Sequence, residues 1–394
     1  MHDWRAELDD EVAAIGGELV AVRRHLHENP EPSREEYETT RFLANRLRDE
    51  GIPLTIPPTG RGLIAGPAAA GPVVAIRGDI DALRIDEAND VPYRSKRNGV
   101  MHACGHDAHA TMVLGAALAL HRLRDRWPRP VPWRAILQPA EEVGAGAEEM
   151  VAAGAVEGVR AIVALHVDPS LGLGTIGQRS GVLTASCDDV EVTVIGRGGH
   201  AARPCRAIDP IAAAVRFIGS VYLDVPRAFD SREPIVVTFG SFHAGTSNNV
   251  IPDRATIRGT IRTLDRAVSE GVKARIEAIA RGVAEATEAR LEVAFSDRLD
   301  PVVNDPGVTS ACAAAAGEVV GPENVVPIAS AGLGGEDFSA YLARVPGCML
   351  RLGVATEGRP RQHLHSPEFD LDERALAVGV RVLARCVARL AGLG

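Results

Sequence analysis

The chain has 394 residues, 46% hydrophobic and 24% charged, enough for two or three domains that each bury a core. Its net charge of −9 excludes the whole-chain basic footprint of a nucleic-acid binder, and no uncharged apolar run reaches the length of a membrane span. The charged opening segment lacks an apolar signal region and the six scattered cysteines show no disulfide-like spacing, so a reduced, cytoplasmic location is expected.

Leu8, Val12, Ile15, Leu19, Val22 and Leu26 recur at near-helical spacing and predict one helix over residues 3–27, stopped before Pro30. A second helix is expected from Arg34 to Glu50, closed by Gly51. Residues 73–77 read as a short apolar strand, followed at once by Gly78-Asp79-Ile80-Asp81. The pattern then repeats. Residues 133–137 lead into Gln138-Pro139-Ala140-Glu141-Glu142, residues 161–165 into His166, and a strand over 348–353 lies upstream of His365. Strands separated by helical stretches predict an α/β fold with a largely parallel sheet flanked by helices, whose sites form outside the carboxyl ends of the strands. Between residues 188 and 300 the order β-α-β-β-α-β predicts a ferredoxin-like α+β domain. It is expected to be inserted, as a lid or dimerisation domain, into a catalytic domain made of residues 1–187 and 301–394.

The densest chemistry lies in Met101-His102-Ala103-Cys104-Gly105-His106-Asp107-Ala108-His109. Cys104 and His106 are two residues apart, so on an extended backbone they project from one face and can grip a borderline-soft divalent ion, or one of a close pair. A helix-forming run follows, and Asp107 is placed to cap it. Of the adjacent Glu141 and Glu142, one can bind metal while the other holds a proton over metal-bound water. Asp79 and Asp81 share a face, and either can ligate metal or orient a ligating histidine. Cys104, His106, Glu142, His166 and His365 make five donors, enough for two ions and a bridging water. His25, His27, His102, His109 and His363 read as structural histidines.

These motifs carry a resemblance. Arg24-His25-Leu26-His27-Glu28-Asn29-Pro30-Glu31, Arg77-Gly78-Asp79-Ile80-Asp81-Ala82-Leu83 and Met101-His102-Ala103-Cys104-Gly105-His106-Asp107 open an ordered series. It continues with Gln138-Pro139-Ala140-Glu141-Glu142, His166-Val167-Asp168-Pro169, Gly198-Gly199-His200-Ala201, Asn248-Asn249-Val250-Ile251-Pro252, Gly335-Glu336-Asp337-Phe338 and Leu364-His365-Ser366-Pro367. The whole chain resembles the co-catalytic zinc metallopeptidase family of carboxypeptidase G, aminoacylase and succinyl-diaminopimelate desuccinylase. It is most similar to the amidohydrolase branch of hippurate hydrolase, N-acetyl-diaminopimelate deacetylase and indole-acetyl-amino-acid hydrolase.

The resemblance implies a metal-dependent amidohydrolase that cleaves an N-acyl amino acid to a carboxylic acid and a free amino acid. It implies Cys104, His106, Glu142, His166 and His365 as ligands to two divalent ions, zinc first, with manganese, cobalt or nickel as alternatives. Glu141 would be the general base for a water shared by the two ions, Asp81 the carboxylate that orients the site, and His200 the group that polarises the scissile carbonyl. Asn249 and Arg262 fall at substrate-contact positions, and a homodimer through the inserted domain is implied. One departure is Cys205, where the branch carries histidine. A di- or tripeptidase of the same fold and a non-catalytic metal-binding homologue are the other readings; the latter would lack a ligand or base, and every expected position is filled.

Overall fold

The computed structural model of the chain describes residues 3–68, 71–356, 358 and 362–393. They divide into two compact units, one formed by Met1–Leu183, Val303–Ser330 and Asp337–Gly394, the other by Thr184–Val302 and Ala331–Glu336.

The first unit is built on a mostly parallel sheet. At its centre four parallel strands lie in the order Trp133–Gln138, Val73–Asp79, Val159–Gly172, Gly347–Ala355. Shorter strands extend both sides: Leu63–Ala65 and Leu54–Thr55 pair antiparallel beyond Trp133–Gln138, and Ile176–Gln178 pairs antiparallel with Gly347–Ala355. All seven residues of Val73–Asp79 are buried, as a central parallel strand covered on both faces requires, which is why Val73–Ile76 is an apolar run rather than an alternation and why Arg77 and Asp79 at its end are paired. The helix His106–Arg122 is likewise buried on every side as far as Leu120. Its neighbours include the helices Gly16–Glu28 and Arg374–Leu390, so the residues that precede it are pinned from within the core.

Two local expectations are corrected. The single helix over residues 3–27 is two helices, Trp4–Ala14 and Gly16–Glu28, because Gly16-Gly17 weakens the helix just past Ile15 while Leu8, Val12, Ile15 and Leu19 still reach the core. The next helix is Tyr37–Asp49 and does not begin at Arg34, whose backbone is left-handed (φ 72°).

In the second unit strand, helix, strand, strand, helix, strand follow one another as the residue pattern predicts. The sheet order is Ile235–Ala244, Arg254–Thr263, Cys187–Ile195, Arg290–Leu299, antiparallel throughout. Val190, Val192 and Val194 alternate inward and meet Ala213, Phe217 and Val221 of the helix Pro210–Ala228 and Val272 and Ile276 of the helix Arg266–Thr287. Asp209 and Asp265 cap those helices through backbone N–H groups. No helix among the described residues is long and apolar enough to cross a membrane.

Candidate metal centre

The first unit gathers its chemistry where the central strands end. His106 opens the long buried helix, and its Nδ1 lies 3.0 Å from the Asp81 carbonyl oxygen and 3.1 Å from Asp81 Oδ1. Both partners only accept, so Nδ1 carries a proton and donates it. The other nitrogen, Nε2, is buried and has no hydrogen-bond partner among the described residues. Yet Asp79 Oδ1, Glu141 Oε2 and Glu142 Oε1 stand 3.8, 3.9 and 3.8 Å from it. Burial opposes charge on this ring, but Asp79 and Cys104 hold its pKa well above the ordinary histidine value. The pocket therefore calls for positive charge, on the ring or on an ion beside it.

Cys104 and His166 complete this buried corner. His166 Nδ1 donates to the Val167 carbonyl at 2.7 Å, and Nε2 lies 3.6 Å from Cys104 Sγ. Burial, then Arg351, holds His166 well below the ordinary value, so the ring is neutral and a lone pair is left on Nε2. Burial also pushes the Cys104 thiol up, so without a cation it stays protonated. The strand here extends to Gly172, which puts His166 inside it, opposite Arg351, rather than beyond its end. Gly105, at φ 84°, allows the tight passage between the two donors; a Cβ there would stand 2.5 Å from the Val167 side chain.

Glu141 and Glu142 sit on a constrained turn. Ala140 has a left-handed backbone (φ 54°), and its N–H donates to Oε1 of the fully buried Glu36 at 2.7 Å. Its carbonyl accepts from Ala145 and Gly146, and a Cβ on Gly146 would fall 1.5 Å from the Pro139 oxygen. The Glu142 N–H donates to Asp81 Oδ2 at 3.0 Å, an oxygen that also accepts from Ser33 Oγ at 2.7 Å. Asp81 thus ties His106 to the glutamate turn. Burial raises the Glu142 carboxyl to about 7. His365, also left-handed (φ 63°), places Nε2 3.5 Å from Glu142 Oε1.

Donor atoms of the expected residues converge in three overlapping sets, each within 4.8 Å: Cys104 with His106 and His166, Cys104 with Glu142 and His365, and His106 with Glu141 and Glu142; His106 also forms such a set with Asp79 and His109. Cys104 belongs to the first two. All five expected donors, with Glu141 and Asp81, therefore meet in one place. His200, Asn249 and Arg262 lie in the second unit. There His200 and Asn249 are neighbours: His200 pairs with Val250, and the Ala201 N–H donates to the Asn249 carbonyl at 3.1 Å. Arg262 lies on the strand Arg254–Thr263, opposite Val236.

The N-cap position is Gly105, and Asp107 lies in the first turn, where its Oδ1 accepts the Ala108 N–H at 2.9 Å. Its other oxygen pairs with Arg23 at 2.8 Å and with His27 Nδ1 at 2.8 Å, while His27 Nε2 meets Glu87 at 3.2 Å. Burial opposes charge on His27, but Asp107 and Glu87 lift it to about 8. Sequence reasoning also missed Glu36 and the partners of His109, because each side chain acts on a backbone N–H contributed from far along the chain.

The model of peptidase family M20/M25/M40 matches residues 75–389. The chain belongs to that family. Among its M20-family relatives, N-acetylcysteine deacetylase of Bacillus subtilis strain 168 is 41% identical over 369 residues, 93% of this chain and 95% of that protein. An IAA-amino acid hydrolase of Arabidopsis thaliana is 37% identical over 378 residues, 94% of this chain and 85% of that protein. The crystal structure of a Bacillus subtilis protein described as a dinuclear metal binding peptidase of the M20 family matches with a TM-score of 0.82 at 36% identity, covering 96% of this chain and 99% of that one.

Proposed function

We propose that the chain is a metal-dependent amidohydrolase that cleaves the amide bond of an N-acyl amino acid, releasing a carboxylic acid and a free amino acid. One observation carries it: the buried, unpartnered His106 Nε2 facing three carboxylates, with a thiol and a second imidazole alongside. The donor set fits two divalent ions, one on Cys104, His106 and His166, the other on Cys104, Glu142 and His365. Sulfur and imidazole donors favour zinc, and the carboxylates also suit manganese, cobalt or nickel. When bound, the ions polarise the scissile carbonyl and acidify water. The deacetylase and amino-acid hydrolase names of the relatives support the substrate class.

Glu141 takes the proton of the attacking water and returns it to the leaving amine nitrogen. Asp81 keeps the His106 proton on Nδ1 and holds the Glu142 backbone. In the second unit, His200 Nδ1 accepts the Ala202 N–H at 3.1 Å, so the neutral ring carries its proton on Nε2. That proton is the donor to the carbonyl oxygen as charge develops there. Asn249 contacts the substrate, and Arg262 holds its carboxylate bidentately. Ile211, Val215, Tyr222 and Leu223 are exposed along the helix Pro210–Ala228, and this apolar stripe supports self-association into a homodimer. The six free cysteines support a cytoplasmic location.

Metal analysis of purified protein, paired with assays on hippurate and a panel of N-acetyl amino acids, tests this reading. Two ions per chain and release of free amino acid are expected. Turnover of unblocked di- and tripeptides alone would move the assignment to a peptidase, and a metal-free, inactive protein would overturn it.

A further inference from the structure

His109, read from sequence as a structural histidine, stands at the centre of the site. It lies in the first turn of the helix His106–Arg122 and is 2% exposed, its ring 4.6 Å from that of His166 and 5.4 Å from that of His106. Nδ1 is 2.6 Å from Asp79 Oδ1. A carboxylate only accepts, so the proton is on Nδ1. Nε2 therefore bears a lone pair, and it accepts the Val167 N–H at 2.9 Å.

The other oxygen of Asp79 is 2.6 Å from Arg77, which also binds Gln138 and Asp337 at 2.8 Å each. Arg77 balances the Asp79 charge, so His109 has no need to be cationic. The pairing of Val73–Asp79 with Val159–Gly172 ends at Arg77 opposite Ala164. Val167 lies three residues beyond, where that neighbouring strand no longer runs, and the His109 ring takes its place as acceptor. The Val167 carbonyl in turn accepts the His166 Nδ1 proton at 2.7 Å. One peptide after another is held, and His166 Nε2 is left facing Cys104.

We propose that His109 is a positioning residue for the metal centre: through the Val167 N–H it fixes the backbone that aims His166 Nε2 at the ion shared with Cys104 and His106. This rests on the two-ion reading above. Without an acceptor at Nε2 the buried Val167 N–H is stranded, the segment shifts, and His166 loses its aim.

The geometry separates two substitutions. In His109→Gln the carboxamide oxygen reaches about as far as Nε2 and can accept the Val167 N–H. In His109→Asn it reaches only as far as Nδ1. Affinity for Co²⁺ by competition with a chelator, and the Co²⁺ absorption spectrum, are measured on wild type, His109→Gln, His109→Asn and His109→Phe. Expected are two ions throughout at saturation, near-wild-type affinity and spectrum in His109→Gln, and about 10–100-fold weaker binding of one ion with an altered spectrum in His109→Asn and His109→Phe. Four indistinguishable proteins, or retention in His109→Asn with loss in His109→Gln, would overturn the proposal. Should the variants not fold, ¹⁵N-histidine NMR of wild type decides: a bare Nε2 on His109 is expected, and a proton there overturns it. Wild type that takes up no ion would instead refute the metal centre itself, and this proposal with it.

Discussion

The two donor groups that meet at Cys104 are held very differently. On one side Cys104, His106 and His166 are buried, and each imidazole has its Nδ1 proton committed, to Asp81 or to the Val167 carbonyl. On the other side Glu142 is nearly covered, but the His365 side chain is 52% exposed and hangs from a left-handed residue. The buried group is already organised; the open group would have to order His365 on binding an ion. Ordering a side chain on binding costs about 0.5–1.5 kcal/mol. An ion on the buried group should therefore be the tighter and slower to exchange.

Glu141→Gln should break catalysis without touching either group. Turnover is expected to fall by about 10²–10⁴-fold with two ions still bound, measured as rate and metal content together. Its neighbour sharpens the contrast: Glu142→Gln should lose the ion of the open group and recover activity in part under excess metal. Should Glu141→Gln be the metal-deficient variant, the roles of the pair are reversed.

His200→Ala should slow turnover by ~10²–10³-fold, the usual effect of removing one donor to a developing oxyanion, with metal content and folding unchanged. An undiminished rate would take His200 out of the reaction. Asp81→Asn bears on both groups, since Asp81 holds His106 of the buried one and the Glu142 backbone of the open one. A loss of about 10–100-fold in affinity or activity is expected, and unaltered metal binding and rate would remove Asp81 from the site.

The smallest effect concerns the scaffold behind His106. Its neighbour Asp107 is paired with His27, whose pKa is raised to about 8. A raised pKa means stability that is full below the unfolded value near 6.5 and is lost as pH rises through 8, about 2 kcal/mol for this shift. Urea unfolding of metal-depleted protein between pH 6 and pH 9 should show that loss, and His27→Gln should not. Equal pH dependence in both proteins would exclude the pair as its source.

Much of this was legible in the residues. Cys104-Gly105-His106, the adjacent glutamates and the histidines after apolar runs are local patterns, and a parallel sheet brings the ends of its strands together whatever the intervening sequence. What stayed hidden depends on distance in the chain. Glu36 reaches an amide 104 residues on, His109 one 58 residues on, and Asp107 adds to its bond with the Ala108 N–H a second oxygen on Arg23 and His27, 84 and 80 residues back. No spacing announces such bonds. They arise because buried backbone N–H groups and buried carboxylates must find a partner wherever the fold puts one. The helix break at Ile15 was closer to the surface of the sequence, in Gly16-Gly17, yet the apolar spacing runs through it unbroken.

The central claim, that Cys104 would serve as a ligand in both donor groups, is tested most directly by titrating metal-depleted wild type and Cys104→Ser with Co²⁺. Two ions per wild-type chain are expected, with a sulfur-to-cobalt charge-transfer band that the serine variant lacks and weaker binding of both ions in that variant. A Cys104→Ser protein that binds two ions as tightly as wild type would contradict it.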